Sequence, residues 1–315
     1  MIPTVAFYCV CDARYFLGAA AMLNSLRLVG HDEPAYVLDC GLTESQREVL
    51  APKVTLVPAP ENEPPWLVKP VAPLRHPAEV MVLIDADMIV TRSLTPLIAE
   101  ASRGKVVAFA NNSDRFFPEW GDALELGTAR PRQYVSSSLV CLGGPVGSRV
   151  IRLMAELRDR VDFSRTLWRA NDPDYPFLFA DQDILNAILT TTVDPAAVTE
   201  AEERLEAVMP FTGLRVVDEH TLRCEYEDGT QPFALHDFLP AKSWSEPPIP
   251  GVYPQLLTRL LRRRDVDIQV PKRELPLHLQ PGLSAAARRV RRDGLAAGLR
   301  SVRARIGGSG QSTGG

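Results

Sequence analysis

Residues 80–94, VMVLIDADMIVTRSL, constrain the fold more than any other stretch of the chain. Val80–Ile84 is an uninterrupted apolar run rich in strand formers, which reads as a strand buried on both faces rather than an amphipathic one. Asp85 and Asp87 follow at once. Residues two apart in an extended chain face the same side, so both carboxylates converge at the strand's carboxyl end, where ligand sites of open α/β sheets lie. Held together they repel each other unless a cation or a proton is shared. A hard divalent ion, magnesium or manganese, suits this position, because such ions are commonly held by one or two carboxylates and the phosphates of a substrate. The competing reading is local: Asp85 caps a helix beginning near Met88, and Asp87 adds charge to its first turn.

The pattern on either side alternates. Strands are expected over 4–11, 35–39, 54–57, 106–110, 134–142 and 233–235. Helices are expected over 15–29, from a capping box at Thr43, over 148–161 and over 181–190. Such alternation predicts an α/β fold with a mixed, mostly parallel sheet and helices on its faces. Two segments break it. Residues 111–132 are polar and aromatic without periodicity, as binding loops and lids often are. Residues 162–180 carry Phe163, Trp168, Tyr175, Phe177 and Phe179, which suit either a sugar-stacking surface or a cover over a sheet edge. At the start of the last helix, Asp181 reads locally as an N-cap and Asp183 as a first-turn charge.

Composition divides the chain. Of its 315 residues 45% are hydrophobic and 23% charged, ordinary for a soluble globular protein with ample core. Residues 281–315 hold seven arginines against one acid, a balance of +6; the whole-chain charge of -4 therefore leaves about -10 on the preceding residues. A compact domain over 1–250 and a basic, helical extension over 251–315 are expected, with the glycine- and serine-rich last ~10 residues flexible. The arginines suit an anionic membrane surface, and the acidic body argues against nucleic acid. Five cysteines without a C-x-x-C pair favour reduced, buried thiols and a cytoplasmic protein, peripheral to the membrane if the tail attaches. The apolar start lacks a basic leader, so neither a signal peptide nor a membrane span is expected.

Taken in order, the motifs resemble glycosyltransferase family 8, retaining enzymes that include glycogenin and lipooligosaccharide galactosyltransferases. The resemblance covers roughly residues 4–245. It rests on the strand and turn from Cys9 to Tyr15, Asn24-Ser25-Leu26, Lys69, Asp85-Ala86-Asp87, the strand at Tyr134 to Val140, Asp181-Gln182-Asp183-Ile184-Leu185-Asn186, and His236 with Lys242 and Trp244. It implies the GT-A (Rossmann-like) fold and transfer of a hexose from a UDP-sugar to an acceptor hydroxyl with manganese or magnesium. On this basis Asp85, Asp87 and His236 are the metal ligands. Val10, Cys11, Asp12 and Tyr15 take the uridine; Lys69, Ala86 and Lys242 lie along the donor; Asp181 and Gln182 support the anomeric centre. The acceptor is left open among a saccharide, a lipid and a small natural product. Two departures stand out: Ser136-Ser137-Ser138 replaces the family's Asn-Ser-Gly, and Leu239 and Ser243 replace a glycine and a proline of the late loop. Two other functions also accommodate D-x-D: a haloacid dehalogenase-type phosphatase with Asp85 as nucleophile and Asp87 as acid, and a nucleotide-sugar binder without activity.

Overall fold

The computed structural model describes residues 2–61, 63–245 and 250–280. In chain order its elements are β1 (Val5–Cys11), α1 (Phe16–Leu28), β2 (Ala35–Asp39), α2 (Glu44–Leu50), β3 (Thr55–Pro58), α3 (Val71–Arg75), β4 (Val80–Ile84) and β5 (Met88–Val90). There follow α4 (Thr95–Ala101), β6 (Val106–Ala110), α5 (Trp120–Ala123), β7 (Val135–Gly143), α6 (Gly144–Leu157) and α7 (Asp181–Thr191). The chain continues through β8 (Val198–Ala201), β9 (Glu206–Val208), β10 (Leu214–Asp218), β11 (Arg223–Tyr226), β12 (Ala234–His236) and α8 (Val252–Arg262).

Seven strands form the main sheet in the order β3-β2-β1-β4-β7-β6-β8. Every pairing is parallel except those of β7, which runs antiparallel to both β4 and β6. This is the mixed, mostly parallel α/β sheet expected. Its fourth strand in that order, β4, is buried at every position. Val80, Val82 and Ile84 face one apolar core, with α1, α4 and α8; Met81 and Leu83 face the other, with α6 and α7. A strand covered on both sides needs no polar alternation, which is why VMVLI is continuous.

A smaller sheet, β5-β12-β9, carries the chain away from the D-x-D. Met88 opens a strand there, not a helix, so the capping role considered for Asp85 does not arise. Strand β12 lies between β5, antiparallel, and β9, parallel, and ends on His236. Because β5 starts one residue after Asp87, pairing β12 with it brings His236 opposite Met88 and so beside the aspartates.

Helix α8 belongs to the same body. Tyr253, Leu256, Leu257, Leu260 and Leu261 are buried in the core that holds α1. Asn24, buried in α1, donates to the carbonyls of Leu260 and Ile268 at 3.0 Å each and accepts from the Ile268 N–H at 2.7 Å. Arg259, within the basic extension expected over 251–315, is instead buried and paired with Asp265 at 2.8 Å. The tail 281–315 lies outside the described residues. No helix among those described is long and apolar enough to cross a membrane.

Candidate active site

Asp85 leaves β4 with its N–H bonded to the Ser138 carbonyl at 2.8 Å, and Asp87 follows in the turn to β5. One ligand atom from each of Asp85, Asp87 and His236 lies within 4.8 Å of the others. The cluster is ringed by cations. Lys69 bridges Asp85 at 2.7 Å and Asp181 at 2.8 Å. Lys242 and His236 approach the two oxygens of Asp87 at 2.7 and 3.3 Å. Two carboxylates and an imidazole converging on one point are a donor set that suits manganese or magnesium.

The two aspartates are not electrostatically equivalent. Burial pushes the Asp85 carboxyl up to about 6; Lys69 opposes the rise, and Asp87 and Asp181 add to it. Burial would also raise Asp87, but His236 and Lys242 outweigh it and hold that carboxyl well below its usual range. For His236 burial favours the neutral ring, yet Asp87 and Glu206 overcome it and raise the pKa to about 10. Lys69 is likewise driven upward: burial opposes, and Asp181 and Asp85 prevail.

Behind Lys69, α7 is fastened across β7. Where the β6–β7 register slips between Ala108 and Ala110, side chains of α7 take up the backbone of β7. Asn186 accepts from the Val135 N–H at 2.9 Å and donates to its carbonyl at 2.8 Å; Gln182 accepts from the Ser137 N–H at 3.1 Å. Asp181 accepts from the Ser137 hydroxyl at 2.8 Å. The N-cap position belongs to Ala180, at φ 47°, and Asp181 is the first helical residue, pointed inward at Lys69. Asp183 also turns inward. It accepts from Arg115 at 2.8 Å, the Tyr134 hydroxyl at 2.7 Å and the Phe179 N–H at 2.7 Å. Arg115 thereby anchors the irregular segment 111–132.

Strand alternation assigns different roles to the three serines. Ser137 faces Asp181, whereas Ser136 and Ser138 point to the opposite face and donate to the buried carboxylate of Glu206, Ser136 at 3.1 Å. Glu206 in turn lies 3.5 Å from Nδ1 of His236. Sequence reasoning missed Glu206, Arg115 and Tyr134. Nothing in EERLEAV distinguishes Glu206 from its acidic neighbours; only the β9–β12 pairing does.

The turn after β1 closes over the other side. Asp12 accepts the N–H groups of Arg14 and Tyr15 at 2.8 and 3.0 Å, fixing the entry to α1. The Cys11 side chain is buried, which leaves that residue only its backbone to offer, while Val10 is half-buried. A small cavity joins Val10 to Lys69 and Asp85. Tyr15 meets Trp244 edge-on at 5.9 Å, and the Lys242 ammonium sits 5.4 Å from its ring centre. Trp244 donates to the Arg14 carbonyl at 2.9 Å. Although glycine and proline are missing, the late loop is well tied. The Asp237 N–H reaches the Asp87 carbonyl at 3.0 Å, Lys242 donates to the Asp237 carbonyl at 2.5 Å, and the Ser243 N–H reaches the Asp237 carboxylate at 2.8 Å. Leu239 is exposed instead of lying against this backbone. Ala86 is buried, its carbonyl against Gly18.

Of the aromatic insertion, Tyr175 and Phe177 are core residues covering the sheet. Phe163 and Trp168 instead stack on Trp66, at 5.1 and 5.3 Å between ring centres.

Strand order, the antiparallel β7 and the D-x-D at the end of β4 together define the GT-A glycosyltransferase fold. Among solved structures, the chain is similar to the galactosyltransferase LgtC in complex with donor and acceptor sugar analogs, at 16% identity over 82% of this chain and 98% of that one, with a TM-score of 0.53. An active-site mutant of LgtC aligns at 14% identity over 85% and 98%, TM-score 0.52. The apo bifunctional glycosyltransferase WbbM aligns at 15% over 84% of this chain and 50% of its own, TM-score 0.55. At these identities the likeness is one of fold. No family model and no curated protein matches the chain.

Proposed function

We propose that this protein is a retaining, metal-dependent glycosyltransferase that moves a hexose from a UDP-sugar to an acceptor hydroxyl. The observation that carries the reading is the convergence of Asp85, Asp87 and His236 at the carboxyl end of β4, flanked by Lys69 and Lys242. Asp85, Asp87 and His236 would hold the ion. A divalent metal there acts as a Lewis acid on the diphosphate leaving group.

The chain's own residues do the rest. Lys69 and Lys242 are buried ammonium groups already aimed at the carboxylates, and both are in reach of a diphosphate drawn to that point; they offset its developing charge. Val10 and the backbone of Cys11, with Asp12 and Tyr15, form the uridine side, the Tyr15 ring offering a stacking face. Asp181, paired with Lys69, and Gln182, held by Ser137 and Tyr134, lie on the sugar side. There they stabilise an oxocarbenium-like centre, as glycosidase carboxylates do. The phosphatase alternative needs Asp87 as a protonated acid, whereas His236 and Lys242 hold it ionised.

The test is a thermal-shift panel of UDP, GDP and their common sugars with manganese and with a chelator. A ligand at a hundred times its Kd stabilises a fold by about 2.7 kcal/mol, so UDP with metal should raise Tm by several degrees and UDP with chelator should not. Asp87→Asn should abolish the metal-dependent shift. Absence of a response to every nucleotide would remove the transferase reading.

A further inference from the structure

His236 is the only proposed ligand that is not delivered by β4 and its turn, and its ring must present Nε2 to the site with the proton on Nδ1. Glu206 is placed to enforce that. In the β9–β12 pairing His236 lies opposite Val208, so Glu206, two residues earlier on the parallel strand, shares its face. Its Oε1 lies 3.5 Å from His236 Nδ1, on the side of the ring away from Asp87, which Nε2 meets at 3.3 Å. A carboxylate only 3% exposed is unfavourable unless paired and hydrogen-bonded. Among the described residues its one ionic partner is His236, and its other donors are the Ser136 and Ser138 hydroxyls, themselves in contact at 2.5 Å. Oε2 is buried without a hydrogen-bond partner among the described residues, so the serines leave the carboxylate only partly satisfied.

We propose that Glu206, held by Ser136 and Ser138, is a positioning residue for the metal site: it accepts the Nδ1 proton of His236 and thereby fixes the tautomer and orientation in which Nε2 ligates a divalent cation. The proposal rests on the metal reading of Asp85, Asp87 and His236. It also gives the serine run a purpose. Strand β7 runs beside both sites, and its alternation sends Ser137 to Asp181 and the flanking serines to Glu206. The carboxylate on the sugar side and the imidazole on the metal side are thus set by consecutive residues of one strand.

Carboxylates that orient a ligating histidine typically contribute 10- to 100-fold in metal affinity. Manganese affinity is measured directly, without turnover, from the free-ion paramagnetic resonance signal. Glu206→Ala should weaken it about 10- to 100-fold, Glu206→Gln, which keeps an acceptor, by less, and Ser136→Ala with Ser138→Ala to an intermediate extent. The deciding measurement is a double-mutant cycle: in a His236→Ala background, Glu206→Ala should cause no further loss. An equal loss in both backgrounds, or none in either, overturns the proposal. Unchanged affinity in Asp87→Asn removes the metal site itself and the proposal with it; a weakened Asp87→Asn beside an unaffected Glu206→Ala removes the proposal alone. Circular-dichroism melts accompany each variant, and the isosteric Glu206→Gln serves if Glu206→Ala does not fold.

Discussion

At the carboxyl end of β4 the buried acids and bases are closely matched, so a divalent ion bound there as proposed would release a proton from His236. His236 is the clearest case, its pKa raised to about 10 against roughly 6.5 for a free imidazole. The metal-free folded protein therefore holds that proton more tightly than the unfolded chain. The stabilisation is complete below about pH 6.5 and is lost as pH rises through the folded value. In chelator, Tm should fall between pH 7 and 9, while the gain on adding metal should grow over the same interval because releasing the displaced His236 proton costs less as pH rises. His236→Ala should flatten the chelator slope; an unchanged slope would assign it to another group. Gln182 gives a kinetic prediction. Its side chain is engaged by Ser137 and Tyr134 beside Asp181, so Gln182→Ala should lower kcat by about tenfold or more, roughly 1.4 kcal/mol of barrier, with little change in UDP affinity. A reduced affinity with normal kcat would move Gln182 to the nucleotide side. Asp85 and Asp87 stood out because they follow a buried hydrophobic strand, whereas Asp181, read locally as an N-cap, and His236 entered only through the resemblance in motif order. Glu206 was not legible, because its meaning comes from which strand β9 lies beside, and a one-residue change of register would turn it to the other face.

Elements were legible to the extent that their burial is local. Strand β4 read correctly since both its faces are covered. Helix α1 was expected from apolar residues too widely spread for a single stripe, and the reason is tertiary: Phe16 to Leu26 are all buried, between the sheets and α8. That second cover arrives 236 residues later, at Leu260, and no local pattern announces it. Close packing around α1 makes Gly18 informative. A Cβ there would stand 2.3 Å from the Ala86 carbonyl oxygen and 2.5 Å from the Trp244 ring. Gly18→Ala must push apart the D-x-D turn, α1 and the late loop, the three pieces that meet at the site. Overpacking of this kind costs about 1–3 kcal/mol. Tm should drop accordingly, and UDP should bind more weakly because Trp244 sits against Tyr15. A variant that melts and binds like the wild type would show that the late loop yields freely.

On the scale of the whole molecule, the folded body extends past the point where the composition changes. The change in composition near Gly251 suggested a boundary, since prolines precede it and arginines accumulate beyond it. Composition averages over both faces of a helix, however, and α8 is steeply divided: its leucines and Tyr253 are buried while Arg262 and the arginines after it lie outward of the core. The Tyr253 hydroxyl even donates to the Asp87 carbonyl at 3.0 Å, so α8 packs directly against the D-x-D turn. Ile268, Leu275 and Leu279 extend the same core. Removing everything after residue 250 takes away five large buried side chains of α8, each contributing about 1.5–3 kcal/mol, a loss comparable with a net stability of about 5–15 kcal/mol. Residues 1–250 should therefore be unfolded or molten by near-ultraviolet circular dichroism, and residues 1–280 should melt with the full chain. The same pair of truncations separates folding from membrane attachment. The full chain should sediment with anionic vesicles, at roughly 1 kcal/mol per basic residue engaged, and residues 1–280, carrying a balance near -10, should stay in the supernatant. Sedimentation of 1–280 with the same vesicles would transfer the attachment to the folded body and leave the seven terminal arginines without that role.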